Sequence, residues 1–224
     1  MAVYPDLTVK ALFEPGHTMA WGYLSFFAYP WEAIPGIKSF ILRLGETLSP
    51  AEYNKRGDGV WVHKTAVISP SAFIGAAVII GPETEVRHCA FIRGAALIGG
   101  GAVIGNSTEV KNSILFDMVQ APHYNYIGDS ILGYGAHFGA GTIASNVKSD
   151  KTPVTVSYNG FKIETGLRKL GAVLGDRAEI GCNSVLNPGS VIGHDSTVYP
   201  LSAVRGCVPP GSIYKRQGES IKKV

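Results

Sequence analysis

Large apolar residues recur every six positions through the middle of this chain, at Val62, Ile68, Ile74, Ile80, Val86, Ile92, Ile98, Ile104, Val110 and Phe116. Four residues after most of them stands a small side chain: Ala66, Ala72, Thr84, Ala90, Ala96, Ala102 and Thr108. After a disturbance the period resumes at Leu132 and Phe138, and later runs through Leu174, Ile180, Leu186, Ile192, Val198 and Val204. A helix repeats near 3.6 residues and a strand at 2, so neither alone gives six. Six residues suit one short strand plus one corner, and such a fixed period marks a parallel β-helix. The large residue then points inward, and its small partner lets the corner turn over it.

Outside the repeat the pattern changes three times. Residues 1–60 do not repeat and hold nearly half of the aromatic residues, including Trp21, Phe26, Phe27, Tyr29 and Trp31. A coil interior favours small aliphatics, so these rings predict a separate, partly helical cap over the first coil, which also covers backbone edges that a solenoid leaves open. Within the cap, Ile34, Ile37, Phe40 and Ile41 share one face of a helix over 31–44, and Ser49-Pro50 reads as an N-cap followed by N1 of a short helix. The solenoid itself occupies 61–208. Between Ala144 and Leu174 the period lapses, and Val154 to Thr165 alternates around Asn159-Gly160, a strong hairpin signal. This predicts an arm standing off the solenoid at about 147–170, of a kind that packs on neighbouring subunits. Pro209, Pro210 and Gly211 then open a tail, 209–224, that leaves the coil to lie over it or over a partner.

Composition narrows the classes. Charged residues make up 17% of the chain, below the average near 25%, as a solenoid with much interior surface requires. A net charge of +3 with no long basic run gives no reason to expect a nucleic-acid partner. The apolar run from Met19 to Ile37 is interrupted by Pro30, Glu32 and Pro35, which argues against a membrane span. Cys89, Cys182 and Cys207 show neither metal-like nor paired spacing. With no basic, apolar and small-residue leader at the N-terminus, the expected compartment is the reducing cytoplasm.

Candidate chemistry sits beside the inward positions. Arg93 and Lys111 each directly follow one (Ile92, Val110) and are eighteen residues apart. With three short faces per coil they would stack on one face at about one strand spacing, ~4.8 Å, an arrangement that suits a phosphate between or beside them. Two solvated surface charges are the other reading of the same spacing. His123 falls two faces further on, where Pro122 breaks the period. Breaks in a repeat often house function.

These segments carry a family resemblance. Phe91-Ile92-Arg93-Gly94, GNSTEVKNS at 105–113, HYNYIGDSILGYG at 123–135 and FGAGTIASN at 138–146 resemble the hexapeptide-repeat acyltransferases. They are most similar to the acetyltransferase domain of the bifunctional glucosamine-1-phosphate acetyltransferase/uridylyltransferase, and closer still to archaeal sugar-1-phosphate enzymes that pair the same two activities. The resemblance covers 60–205 and is absent over 1–55. It implies a left-handed β-helix, a homotrimer, acetyl-CoA as co-substrate with no metal required, and an amino-sugar phosphate such as glucosamine-1-phosphate as acceptor. It further implies His123 as general base, with Arg93, Lys111, Tyr126 and Lys169 on the sugar phosphate. The amide of Ala140 would face the acetyl carbonyl, Cys182 would lie along the pantetheine, and Arg216 or Lys215 would meet a coenzyme phosphate. Two positions depart from the pattern: His137 stands where the family has asparagine near the amino sugar, and Pro200 lacks the N–H used there toward the coenzyme. No segment resembles the nucleotide-binding half of the bifunctional enzymes, so nucleotidyl transfer is not expected.

The chemistry fits the residue types. Histidine, with an ordinary pKa near 6.5, can take the proton an amine must lose, and a backbone N–H can stabilise the acyl oxyanion. Three other readings share the fold: acyl transfer from a carrier protein to a nucleotide sugar, a zinc hydratase of the γ-carbonic-anhydrase type, and a scaffold without catalysis. The zinc reading fails at its triad, because Met118 and Gly128 flank His123 at the ligand spacing.

Overall fold

A computed structural model describes residues 4–217 and 219–223. The chain winds into a parallel β-helix with three flat faces. Face A starts at Val60–His63, face B at Val67–Ile68 and face C at Phe73–Ile74, and the cycle repeats down the solenoid. The inward column on face A reads Val62, Ile80, Ile98, Leu115, Leu132, Leu174, Ile192, Val208, each paired with the next. Together with the inward residues of faces B and C these form one continuous apolar bore. Small polar residues complete it without leaving groups unpaired: Thr84 Oγ1 donates to Gly99 O and Thr108 Oγ1 to Ala121 O, each on a neighbouring turn.

One inward assignment is corrected. Leu115, not Phe116, fills the bore, because the turns pairing Ile98 with Leu115 and Leu115 with Leu132 hold seventeen residues instead of eighteen. Phe116 therefore turns outward, where it is fully buried against Phe13 with ring centroids 4.9 Å apart. A second short turn brings the phase back to Leu132 and Phe138. The next turn pairs Leu132 with Leu174, forty-two residues on, which amounts to an insertion of 24 residues into a regular coil.

The N-terminal segment does not sit over the first coil as a lid. Only Tyr53–Arg56 seals an end, adding antiparallel to Val60–His63. The rest runs along face A and buries its outward residues Trp61, Ile79, Leu97, Ile114, Ile131 and Val173 beneath Leu12, Phe13, Leu24, Ile34, Ile37 and Ile41. Polar clamps fix it lengthwise. The buried carboxylate of Asp176 accepts the N–H of Glu14 (2.7 Å) and of Tyr134 (2.8 Å), and Arg177 bridges Glu14 (3.1 Å) to Asp195. The expected helix appears as a 3₁₀ stretch, Pro30–Gly36, running into an α-helix, Ile37–Gly45. Ser49 caps a single turn through Ala51 N (3.2 Å), which gives way to the Tyr53 strand instead of propagating.

The hairpin forms at Thr155–Tyr158 and Phe161–Glu164. Its first strand lies on its own solenoid, with Val154 and Val156 fully buried, while Phe161 on the second is 63% exposed. The tail stays with the coil: Ser212–Arg216 is the last parallel strand of face B, and Glu219–Lys222 folds back on it antiparallel. Tyr214 takes the final inward position and plugs the bore, its hydroxyl donating to Ala203 O (3.2 Å).

Candidate active site

The corner between faces B and C is built by a ladder of backbone hydrogen bonds. Tyr124 N donates to Asn106 O (2.8 Å), Gly141 N to His123 O (3.0 Å), Asn183 N to Ala140 O (2.8 Å) and Leu201 N to Cys182 O (2.9 Å). Asn106, His123, Ala140, Cys182 and Pro200 therefore stand in one line, each about one strand spacing (~4.8 Å) from the next. Each is followed by a residue in the left-handed region where φ permits the turn, such as Tyr124 (53°), Asn183 (55°) and Leu201 (60°). A non-glycine residue there is uncommon; the ladder holds it in place.

His123 is exposed, and its ring has no hydrogen-bond partner among the described residues. Its backbone is fixed from below: His123 N donates to Asn125 Oδ1 (3.2 Å), and the buried Asn125 donates to Gly139 O (2.8 Å). Directly beneath, the N–H of Ala140 meets no acceptor among the described residues. The glycines beside it are required by close approach. A Cβ on Gly139 would come within 2.7 Å of Cys182 N, and one on Gly141, whose φ is +73°, would collide with Asn183 Oδ1. An imidazole and an N–H, each without a partner among the described residues, thus occupy consecutive turns of one corner, with the exposed Cys182 next along it.

Face C carries the cations. Tyr126 opens it, in register with Glu109, and burial raises its phenol pKa although Lys111 opposes the shift, so the group is a donor at neutral pH. Arg93 and Lys111 do not face each other directly, because a register shift between Ile92 and Gly94 places Gly94 opposite Lys111. Each has its own carboxylate: Arg93 bonds Glu109 (3.1 Å), and Lys111 bonds the buried Asp129 (2.8 Å). Asp129 also accepts from Asn112 (2.7 Å) and Asn146 (2.5 Å). The backbone just after Lys169 joins the same turns, Leu170 N donating to Asn146 O (3.1 Å) and Gly171 N to Asp129 O (2.9 Å), while the Lys169 side chain borders a concavity with Val147, Lys151 and Arg168.

His137 projects from face B, where Glu179 holds its Nδ1 at 2.7 Å. Arg216 is set apart at the last turn, paired with Glu219 at 2.6 Å, and Lys215 lies 4.0 Å from the same carboxylate. The sequence reading passed over Glu109, Asp129, Asn146 and Glu179. Asp129 and Asn146 stand inside the very segments that carry the resemblance, yet their role as anchors of Lys111 depends on which turns stack. Among the described residues no three His, Cys, Asp or Glu side chains gather into a metal-binding group, and no helix is long and apolar enough to cross a membrane.

No family model matches the chain. Curated proteins do. A bifunctional protein GlmU from Methanococcus maripaludis is 32% identical over 179 residues, 79% of this chain and 43% of that protein. A bifunctional protein GlmU from Synechococcus elongatus is 38% identical over 157 residues, 70% of this chain and 29% of that one. A bifunctional sugar-1-phosphate nucleotidylyltransferase/acetyltransferase from Sulfurisphaera tokodaii is 36% identical over 105 residues, 47% of this chain and 26% of that one. The chain thus spans less than half the length of these relatives. Among solved structures, a mutant perosamine N-acetyltransferase from Caulobacter crescentus, in complex with CoA and GDP-perosamine, aligns at a TM-score of 0.39 with 21% identity, covering 74% of this chain and 56% of that one. The UDP-N-acetylglucosamine acyltransferase of Francisella novicida aligns at 0.40 with 16% identity, covering 71% and 68%. The curated relatives bear out the similarity read from the motifs: over 70–79% of its length the chain is similar to bifunctional proteins GlmU.

Proposed function

We propose that this protein transfers an acetyl group from acetyl-CoA to the amino group of a phosphorylated amino sugar, of which glucosamine-1-phosphate is the first to try. The observation that carries the reading is the corner ladder, which sets the unpartnered ring of His123 one turn from the unpartnered N–H of Ala140. The amine enters in its neutral form; its lone pair attacks the thioester carbonyl carbon while His123 takes the N–H proton that the nitrogen sheds. The N–C bond forms, and the negative charge that develops on the acyl oxygen is met by the Ala140 N–H. Collapse breaks the C–S bond, and the proton held by His123 goes to the leaving thiolate. Cys182 and Pro200 continue the corner along which the pantetheine lies, and Pro200 offers that arm a smooth wall without a donor.

The sugar phosphate goes to Arg93, Lys111, Tyr126 and Lys169 on face C. Because Asp129 and Glu109 already neutralise Lys111 and Arg93, the phosphate is held by directed donors within a balanced field. His137, fixed by Glu179, borders the acceptor on face B, and Arg216 stands ready for a coenzyme phosphate. A neighbouring copy completes the cleft in a homotrimer. Faces B and C and their shared corner are free for that packing, whereas face A is sheathed.

Titration calorimetry and a thiol-release assay with acetyl-CoA, against a panel of amino sugars with and without phosphate, test the activity. Acetylation of phosphorylated acceptors alone is the expected result; release of coenzyme A with none of them would reject the reading. Light scattering tests the assembly, and a stable monomer at micromolar concentration would count against a cleft shared between copies.

A further inference from the structure

The two ends of the solenoid are closed to different degrees. At the C-terminal end Tyr214 plugs the bore, and Glu219–Lys222 folds back over the last strand of face B. At the N-terminal end Tyr53–Arg56 covers face A alone. Among the described residues, the first strands of the other two faces, Val67–Ile68 and Phe73–Ile74, pair only with the turn below, at Glu85–Val86 and Phe91–Ile92. Here the bore opens into a depression of about 700 Å³, lined by Ala66, Ile68, Ala72 and Ile74 and bordered by Arg56 and Asp58.

Those four apolar residues point inward, yet they are only partly buried, whereas Val86 and Ile92 one turn down are 1% and 0% exposed. Open strand edges and an open core are what the caps of a solenoid remove. This cap is one face wide. Two features of the end fit a second copy of this chain. Lys55 is held by Glu46 at 2.8 Å, but the exposed Arg56 and Asp58 have no ion-pair partner among the described residues. Across a twofold axis each Arg56 would meet the other copy's Asp58, so the charges are self-complementary, as an isologous contact requires. The end is also stepped. Face A, with its added strand, stands higher than faces B and C by about one strand spacing, ~4.8 Å, and a twofold axis can lay each raised strand over the other copy's lower faces.

We propose that the N-terminal end of the solenoid docks on the same end of a second copy, with Arg56 and Asp58 reciprocally paired across the twofold axis. The open edges and the apolar depression supply the attraction, and the charges fix the register and reject other arrangements. A single end, whose uncovered strands are two residues long, offers little against the ~1,000 Å² that a stable contact buries. The three ends of the homotrimer proposed above face the same way and dock at once, which closes the assembly as two stacked trimers. The number three rests on that proposal; the end contact does not.

The test is sedimentation velocity of the full chain at micromolar concentration, for wild type, Arg56→Glu, Asp58→Arg and an equimolar mixture of the two variants. Both side chains are exposed, and thermal melting checks that the fold is kept. Wild type is expected as a hexamer. Either variant alone sets like charges opposite each other at every contact, so it should associate at least about 10-fold more weakly and sediment as a trimer. The mixture restores opposite charges at both pairs, and hexamers containing both variants should reappear. A wild type that sediments as a trimer or a monomer would overturn the inference. So would variants that associate as tightly as wild type, or a mixture of folded variants that stays apart. If wild type is a dimer that each substitution separates into monomers and the mixture rejoins, the end contact stands and the homotrimer falls.

Discussion

Faces A and C share one repeat and one bore, but their exteriors diverge. Outward residues on face A are Trp61, Ile79, Leu97, Ile114, Ile131 and Val173, all covered by the N-terminal segment. The corresponding residues on face C are Phe73, Phe91, Glu109, Tyr126, Ile143 and Val185, of which Phe73 (59%), Phe91 (39%) and Val185 (37%) are exposed. Inward residues decide that a coil forms; outward residues decide what lies on each face. Face A is a second hydrophobic core, so its surface serves stability. Face C mixes rings, carboxylates and cations, and with the B/C corner it is the surface that the proposed acceptor and neighbouring copy would use.

Removing the His123 imidazole should separate the two roles most sharply. His123→Ala should lower turnover by about 10²–10⁴, the range for a lost general base, with an unchanged melting temperature; a variant as fast as wild type would take His123 out of the mechanism. The reverse dissociation comes from face A. Ile114→Ala, beneath the N-terminal segment, should cost about 2–5 kcal/mol in urea unfolding, whereas Val185→Ala on face C should stay within about 0.5 kcal/mol, as surface substitutions do. Equal costs would mean that face C is covered as well, by another subunit.

On the acceptor side, Arg93→Ala should reduce kcat/KM for a phosphorylated amino sugar by about 10- to 100-fold and leave an unphosphorylated one nearly unaffected. Equal losses on both would make Arg93 and its partner Glu109 a structural clip. The smallest effect concerns the clamp on face A. Arg177 holds the Asp195 carboxyl down at about 2 from an ordinary 3.8, with His194 assisting. A depressed folded-state pKa contributes stability above the unfolded value that is lost as pH falls through the folded one. Wild type should therefore weaken between about pH 4 and 2, and Asp195→Asn should flatten that stretch of the acid-unfolding curve; an identical acid limb in the variant would exclude the clamp.

The six-residue phase was legible because every inward position faces the same narrow bore. It failed at Phe116, where a seventeen-residue turn moved the ring outward, and a one-residue deletion leaves no local signal distinguishing inward from outward aromatics. The site was legible along the corner, since His123, Ala140 and Cys182 lie on consecutive turns and the motif spacing preserves that. It was less legible across turns. Glu109 and Asp129, which neutralise Arg93 and Lys111, are sixteen and eighteen residues from their partners, so their pairing exists only once the coil is wound. The sheath on face A was misplaced to the solenoid's end because aromatic content says that rings need burial, not where.

The 24-residue insertion has a further consequence. It leaves the coil after Asn146 and returns at Leu170, and the turns it separates still pair Leu132 with Leu174, Phe138 with Ile180 and Ala144 with Leu186 in unbroken register. The coil therefore accommodates the segment bearing Lys148, Lys151, Arg168 and Lys169 without changing its own winding, and the segment is tied down through Val154 and Val156 in the core it shares with the N-terminal segment. Exchanging residues 148–151 for a loop of other length or charge, with Val154 and Val156 kept, should alter acceptor choice while the His123 corner, the bore and the sheath remain as they are.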